Sequence, residues 1–283
     1  MKFGVNTLIF TGNFTDEHTD LFSRIKDTGF DGVEIALANK GDFDYTNTLK
    51  KFKDNGLECI GICGMHSLDR DIRGPDMDNV SNGIQYIKDG IDAAAALESD
   101  LFTGPFYSAV GRASMETPED RKKQWQTEIE SLDEVCQYAE KKGVYLAMEP
   151  LNRFETDFIN IAEDAIKLIK EVGSDYLKIH LDTFHMNIEE KDSAEAIRKT
   201  GDLLYNFHTS ENDRGAPGTG QVHWEKIFQA LKDIDYNRYL VIESFTPENE
   251  LIARAASIWR STEKSDWILL EKGLAFLKSF FKE

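Results

Sequence analysis

The 283-residue sequence is poor in cysteine and proline, with three and six, and it has no long apolar run. The odd cysteine count and the lack of a CxxC pair argue against a disulfide framework and indicate reduced thiols. No stretch approaches the roughly 20 apolar residues that a membrane-spanning helix needs. The opening MKFGVNTLIF has no signal-peptide cleavage pattern. We therefore expect a cytoplasmic protein that does not enter a membrane.

Basic residues are also scarce. The chain has 33 lysines and arginines against 51 acidic residues, which gives a net charge of −18, and it has six histidines. Such a surface repels phosphate backbones, so the composition argues against nucleic-acid binding. The same charge is equally typical of solvated helix faces, and it says little about the fold.

Apolar runs alternate with helical patterns along the whole chain. The runs that read as strands lie near residues 3–9, 32–37, 57–63, 100–104, 144–149, 177–182, 203–208 and 239–243. Four of the helical patterns between them are followed by a glycine typical of a helix C-cap, at positions 29, 56, 143 and 173. Alternating units of this kind imply a parallel sheet covered by helices. Eight of them predict an α/β protein with one domain, a (β/α)8 TIM barrel over residues 1–283.

An open, doubly wound sheet is the alternative fold. It would need a glycine-rich phosphate loop after an early strand. The first loop, FTGNFTDEH, has one glycine and no GxGxxG motif, so the sequence favours the barrel. In a barrel, the long loops 64–80 and 209–222 lie on the C-terminal face, where sites are built. The final segment, KSDWILLEKGLAFLKSFFKE, is predicted to be a helix that closes the barrel or an oligomer interface.

Four polar residues close successive apolar runs in the second half of the chain. Glu149, Asp182, His208 and Glu243 end the runs VYLAME, LKIHLD, LYNFH and YLVIE. Strand ends converge at one face of a parallel barrel, and three carboxylates with one imidazole suit Mn²⁺, Co²⁺ or Mg²⁺ better than structural Zn²⁺. A single acid at a strand end is ordinarily a cap or an ion-pair partner. Four in succession favour a divalent metal site.

The context of these four residues resembles one known family. The blocks MEPLNRFET, DTFHMNIEE, HTSENDRGAPGTGQVHW and VIESF, with the tail WRSTEKSDWILLEKGLAFLK, resemble the D-tagatose 3-epimerases. That family includes the D-allulose (D-psicose) and L-ribulose 3-epimerases and belongs to the xylose isomerase-like barrels. The resemblance implies a (β/α)8 barrel, a homodimer or homotetramer, and a small-molecule ketose substrate such as D-tagatose, D-fructose, D-allulose or L-ribulose.

The resemblance also implies residue roles around a metal ion. Glu149, Asp182, His208 and Glu243 are expected to bind one Mn²⁺ or Co²⁺, with Mg²⁺ as an alternative. Glu149 and Glu243 are expected to be the acid–base pair that inverts C3 of the ketose through a cis-enediolate.

Three further residues match substrate-contacting positions of the family. His185 and Arg214 are expected at the O1–O2 end of the sugar, and Glu155 is expected to contact O1. Their ordinary interpretations are a core histidine, a solvated loop arginine and an acid at a helix N-terminus. His66, in the loop after the third strand, is a candidate substrate contact without a spacing partner. His180 has no assigned role and is expected in the barrel core.

The wall that reads the C4–C6 end of the sugar is less well defined. Candidates are Ile9, Phe10, Cys63, Phe106 and Tyr107. An apolar wall would suit a sugar without a phosphate group.

Three other functions compete with a 3-epimerase. The nearest is an aldose–ketose isomerase of the same barrel class, of the hydroxypyruvate or inositol-pathway type. A metal-dependent abasic-site nuclease would need several metal ions, more histidines and a basic face. A non-catalytic sugar-binding barrel would not need two glutamates facing the sugar.

Overall fold

Parallel strands paired in chain order close into a barrel in the computed structural model, which describes residues 1–281. Within that range the strands are β1 Lys2–Asn6, β2 Gly32–Leu37, β3 Glu58–Gly64, β4 Leu101–Gly104, β5 Tyr145–Met148, β6 Leu177–Asp182, β7 Leu204–Thr209 and β8 Tyr239–Ile242. β1 pairs in parallel with β8, with Lys2 opposite Tyr239 and Val5 opposite Ile242. The predicted (β/α)8 barrel is confirmed.

The first strand is shorter than predicted because of one side chain. The run 3–9 was expected to be extended, but β1 ends at Asn6 and residues 7–9 form a 3₁₀ turn. Asn6 Oδ1 accepts the backbone amide of Leu8 at 2.8 Å, which caps the turn. The side chain of an asparagine can compete in this way with the next ladder hydrogen bond.

Helices cover the outside of the barrel. In the described part of the chain they are α1 Leu21–Thr28, α2 Tyr45–Asn55, α3 Met77–Ala96, α4 Pro118–Lys142, α5 Ala162–Val172, α6 Thr183–Glu189, α7 Ser193–Thr200, α8 Trp224–Asp233, α9 Glu250–Ala255 and α10 Asp266–Ser279. α1, α2, α4 and α5 end at the four predicted glycines, each in the left-handed conformation that glycine adopts without strain. None of the helices described is long and apolar enough to cross a membrane.

The last helix packs across the seam where β8 meets β1. Leu270 and Leu274 on α10 are buried, and a Cβ on Gly273 would lie 3.0 Å from Ile242 Cδ1. Lys278 Nζ donates to the carbonyl of Gly29, at the end of α1, at 2.8 Å. The helix therefore joins the last strand to the first helix. Its predicted part in an oligomer interface stays a prediction.

Charged side chains tie together the loops that follow β3, β4 and β5. Arg73 is fully buried and donates through Nη1 to Asp157 Oδ1 at 2.5 Å. Arg112 donates through Nη1 to Asp71 Oδ1 at 2.6 Å, and Arg73 Nε lies 3.6 Å from Asp71 Oδ2. We call these four residues the loop ion cluster. Because a buried charge is costly without its partner, the cluster holds the three loops in one arrangement.

Glu128 on α4 is a buried acid near this cluster. Neither of its carboxylate oxygens has a hydrogen-bond partner in the described part of the chain. Burial, with a smaller contribution from the charge of Asp71, raises the pKa of Glu128 well above 4.5. Ionised Glu128 therefore opposes folding at neutral pH.

We expect Glu128→Gln to stabilise the protein at neutral pH and to flatten its pH dependence. A carboxyl group whose pKa is raised by folding contributes stability below its unfolded-state pKa, and this contribution is lost as the pH rises through the folded-state value. Because a tenfold change in proton affinity is worth about 1.4 kcal/mol, the variant should gain at least about 1 kcal/mol at neutral pH in urea unfolding. Glu130→Gln, exposed on the same helix, is the matched control. Equal responses of the two variants would contradict the interpretation.

Candidate active site

The barrel brings the four strand-end residues to one point. Glu149 directly follows β5, Asp182 ends β6, His208 lies in the last two residues of β7, and Glu243 directly follows β8. One ligand atom of each lies within 4.8 Å of those of the other three, and all four side chains are buried. Adjacent parallel strands put their carboxyl ends at one barrel face, so this convergence follows from the topology.

The donor set and its unpaired atoms fit a divalent cation. Glu149 Oε1 and His208 Nδ1 are buried and have no hydrogen-bond partner among residues 1–281. Buried polar atoms without partners are rare unless an ion or water satisfies them. A cation among the three carboxylates and the imidazole would satisfy both atoms, and this ligand set suits a hard to borderline ion. The four residues can therefore hold a metal ion.

The electrostatics of the two glutamates differ strongly. Burial, reinforced by the charge of Glu243, raises the pKa of Glu149 well above its ordinary value. Burial also acts to raise the pKa of Glu243, but His208 and Arg214 outweigh it and hold that pKa at about 2. Without a bound ion, the surroundings thus disfavour ionisation of Glu149 and favour ionisation of Glu243.

Arg214 supplies positive charge to the same site. Its Nη1 donates to Asp182 Oδ2 at 2.6 Å and to Glu243 Oε2 at 3.0 Å. The guanidinium lies over the rings of Phe184 and Phe245, 4.0 and 4.6 Å from their centroids. Arg214 itself has a φ of 62°, a left-handed conformation unusual for a residue with a side chain. The buried ion pairs and ring contacts hold it there, so it is not a solvated loop residue.

His185 and Glu155 border the same cavity as Arg214. His185 Nδ1 accepts the backbone amide of Asn152 at 3.1 Å, so its hydrogen is on Nε2. That Nε2 lies 3.2 Å from Arg214 Nη2 and 3.7 Å from Glu149 Oε1. Glu155 Oε1 accepts from Asn152 Nδ2 at 2.7 Å. All three predicted substrate contacts are therefore close to the four strand-end residues.

Comparison with known proteins agrees with this geometry. Residues 22–262 match the model of a family described as "Xylose isomerase-like TIM barrel". The chain belongs to this family. Among curated proteins, it is 32% identical to the D-psicose 3-epimerase of Enterocloster bolteae, covering 92% of this chain and 87% of that protein. It is 31% identical to the probable ketose 3-epimerase of Synechocystis sp., covering 100% and 97%.

Solved structures give the same result. A structure of L-ribulose 3-epimerase superimposes with a TM-score of 0.92 at 29% identity, covering 98% of this chain and 93% of that chain. The D-allulose 3-epimerase from Methylomonas sp. in complex with D-allulose gives 0.91 at 28% identity, covering 99% and 96%. The resemblance to ketose 3-epimerases inferred from the sequence is confirmed.

One buried acid of the TIM barrel was missed from the sequence. Glu34, in the middle of β2, accepts from Asn6 Nδ2 at 2.7 Å and from Asn206 Nδ2 at 2.8 Å. Its Oε1 lies 2.8 Å from His208 Nε2, and both residues are fully buried. Burial alone would lower the pKa of His208, but Glu34 and Glu243 outweigh it and raise that pKa well above its ordinary value. The overlooked signal was a lone carboxylate inside the apolar run GVEIAL.

His180 lies closer to the site than its assignment to the core suggested. It is fully buried, as predicted, but its ring centroid is 3.9 Å from that of His208. Its Nδ1 lies 3.0 Å from Thr103 Oγ1 and 3.7 Å from Glu149 Oε2. With Glu149 and His208, His180 forms a second group that can hold a metal ion.

The far wall of the cavity differs from the predicted one. The cavity has a volume of about 500 Å³, and of the five predicted wall residues Cys63 lines it. Among the described residues, the apolar part of the lining comes instead from others, including Leu8, Met65, Val110, Phe245 and Ile252. Tyr107 is engaged elsewhere, since its hydroxyl donates to the carbonyl of Ile159 at 2.8 Å. The alternation of side chains along a strand does not predict which loop residues fold over the end of that strand.

We expect Glu34→Gln to lower the free energy of unfolding by about 3 kcal/mol, because removing one partner of a buried ion pair leaves the other charge uncompensated. Urea unfolding of the metal-free protein measures the loss. The control is Glu98→Gln, which breaks the 2.6 Å pair with Lys53 where both side chains are mostly exposed; it should leave stability nearly unchanged. Similar losses for both variants would contradict the role assigned to Glu34.

Proposed function

We propose that this protein is a metal-dependent ketose 3-epimerase, an isomerase that inverts C3 of a free ketohexose or ketopentose. Its relatives include D-psicose, L-ribulose and ketose 3-epimerases. The observation that carries the proposal is the placement of Glu149 and Glu243. They follow two separate strands and border one cavity beside Asp182 and His208. The substrate would be of the D-tagatose, D-fructose, D-allulose or L-ribulose type.

The metal would be Mn²⁺ or Co²⁺, with Mg²⁺ as an alternative, held by Glu149, Asp182, His208 and Glu243. When bound, such an ion polarises the C2 carbonyl of the ketose and acidifies the hydrogen on C3. Glu34 would orient the imidazole of His208 through Nε2, as a second partner commonly does for a metal-binding histidine.

The two glutamates would replace the proton on C3, one acting on each face of the sugar. One takes the proton from C3, and the electron pair of that bond forms a C2–C3 double bond while the π pair of the C2 carbonyl moves onto O2, which gives a cis-enediolate. The other delivers a proton to C3 from the opposite face while the C2 carbonyl forms again. The result is inversion at C3, with no net gain or loss of protons.

Arg214 and His185 would bind the O1–O2 end of the ketose. Arg214 Nη2 and His185 Nε2 both carry hydrogens and lie 3.2 Å apart, so one acceptor beside the pair would be within reach of both. A substrate oxygen placed there would accept from both donors, and the charge that develops on O2 would strengthen both bonds. Glu155, anchored by Asn152, would accept from the hydroxyl on C1.

We also propose a homodimer or homotetramer located in the cytoplasm. The oligomer is proposed from the family resemblance of the sequence alone. The cytoplasmic location is proposed because the three cysteines are free thiols, as is common in a reducing compartment.

The competing isomerase reaction differs in where the proton moves. An aldose–ketose isomerase exchanges a hydrogen at C1, whereas a 3-epimerase exchanges one at C3. A nuclease is disfavoured by the charge of −18, and the AP endonuclease from Brucella melitensis shares the fold alone, with a TM-score of 0.72 at 21% identity.

Turnover of D-fructose or D-tagatose in deuterated water should place deuterium at C3 of the sugar, detected by NMR. Glu149→Gln and Glu243→Gln should each lower kcat by about 100-fold or more, because each removes a proton-transfer group. Glu98→Gln is the matched control and should keep wild-type kcat. Deuterium confined to C1, or full turnover by both active-site variants, would refute the proposal.

Removal of the metal should abolish turnover and lower the melting temperature. Added Mn²⁺ or Co²⁺ should restore both, since an ion present at about 100 times its Kd stabilises the folded state by about 2.7 kcal/mol. In Asp182→Asn the metal-dependent shift in Tm should shrink or disappear. Chelated protein that retains full activity would rule out the metal.

A further inference from the structure

The side of the cavity formed by the loops after β2 and β3 is partly polar. In the closed ring, β2 and β3 lie across the barrel from β6 and β7, which carry Asp182 and His208. The cavity lining on this side includes Asn39, His66 and Arg70. We call these three residues the distal polar group. A purely apolar wall, as expected from the sequence, would not need them.

His66 offers a hydrogen-bond acceptor without a partner. The side chain is 3% exposed, and its Nδ1 lies 3.1 Å from the carbonyl oxygen of Arg70. A carbonyl can only accept, so the hydrogen is on Nδ1 and Nε2 carries a lone pair. That Nε2 is buried and has no hydrogen-bond partner among residues 1–281. Burial also lowers the pKa of His66 to about 4, which keeps the ring neutral at physiological pH.

The ring of His66 is fixed by its neighbours. The backbone carbonyl of His66 accepts the amide of Val110 at 3.0 Å. The His66 ring meets the Tyr86 ring edge-on, with centroids 4.9 Å apart. Tyr86 is itself held, because its hydroxyl accepts the amide of Met65 at 2.8 Å and donates to the carbonyl of Leu37. The acceptor is therefore positioned before any ligand arrives, which lowers the entropic cost of binding.

Arg70 adds donors on the same side. Its Nη1 donates to the carbonyl of Ala38 at 2.7 Å and its Nη2 to Asn39 Oδ1 at 2.6 Å. The guanidinium lies over the Tyr86 ring, 4.3 Å from the centroid. No carboxylate of the described chain lies within salt-bridge distance of it. Guanidinium has five hydrogens to donate, so Arg70 retains donors for a ligand.

We propose that His66 recognises the terminal hydroxyl of the ketose, at the end of the chain opposite C1, by accepting its hydrogen at Nε2. The inference rests on the proposed function and adds a specificity-determining residue to it. A hydroxyl can donate its hydrogen to His66 Nε2 and still accept from another donor. A phosphate dianion has no hydrogen to donate to Nε2, although Arg70 alone would attract it. The distal polar group therefore selects an unphosphorylated sugar.

The test compares D-fructose with 6-deoxy-D-fructose, which lacks the terminal hydroxyl. Wild-type protein should prefer D-fructose by about 10-fold in kcat/KM, the worth of one hydrogen bond. His66→Phe keeps a ring but removes the acceptor, so kcat/KM for D-fructose should fall about 10-fold while that for the deoxy sugar stays nearly constant. His66→Gln, which keeps an acceptor, should restore part of the preference. His223→Phe, at an exposed histidine, is the matched control.

Equal losses on both sugars in His66→Phe would assign His66 a structural role and overturn the inference. A wild-type preference for D-fructose 6-phosphate over D-fructose would also overturn the inference. Equal wild-type kcat/KM values for D-fructose and its deoxy analogue would do the same. If wild-type protein turned over neither sugar, the proposed function would fail separately. Calorimetric binding of the same two sugars to wild type and His66→Phe would then decide the inference, and the loss of preference should appear in Kd.

Discussion

The site depends on burying like charges close together. Carboxyl groups of Glu149, Asp182 and Glu243 share one buried point, where their mutual repulsion is weakly screened. Two positive groups compensate for it in the protein alone: the guanidinium of Arg214 and the imidazole of His208. Glu34 holds the imidazole, and Asp182 and the rings of Phe184 and Phe245 hold the guanidinium. A divalent cation held by the same residues would replace the proton on His208 and supply the compensating charge instead.

The barrel itself could be predicted because of how it is buried. Parallel strands covered on both faces appear in a sequence as nearly continuous apolar runs, and all eight runs became strands. The glycine C-caps were equally visible, because a left-handed residue at a helix end favours glycine. The end of β1 was not visible. It depends on a hydrogen bond from Leu8 to the side chain of Asn6, which composition and periodicity do not encode.

The same contrast holds for the site. Glu149, Asp182, His208 and Glu243 were found because each stands where an apolar run stops. Glu34 stands inside such a run, and its partners Asn206 and His208 are more than 170 residues away in the chain. Only the closed barrel brings them together. The cavity wall was harder still to predict, because it includes loop residues such as Val110 and Phe245. The alternation of side chains along a strand says nothing about where loop residues lie.

The loop ion cluster bears on how this barrel can change its substrate range. Arg73 and Arg112 join the loops after β3, β4 and β5 through buried or nearly buried pairs. The loop after β3 carries His66, and the loop after β4 carries Val110, which holds the backbone of His66. A β3 loop grafted alone from a relative would remove Asp71 and Arg73, the partners of Arg112 and Asp157 in the other two loops. New specificities at this end of the cavity are therefore reached by exchanging the three loops as a set.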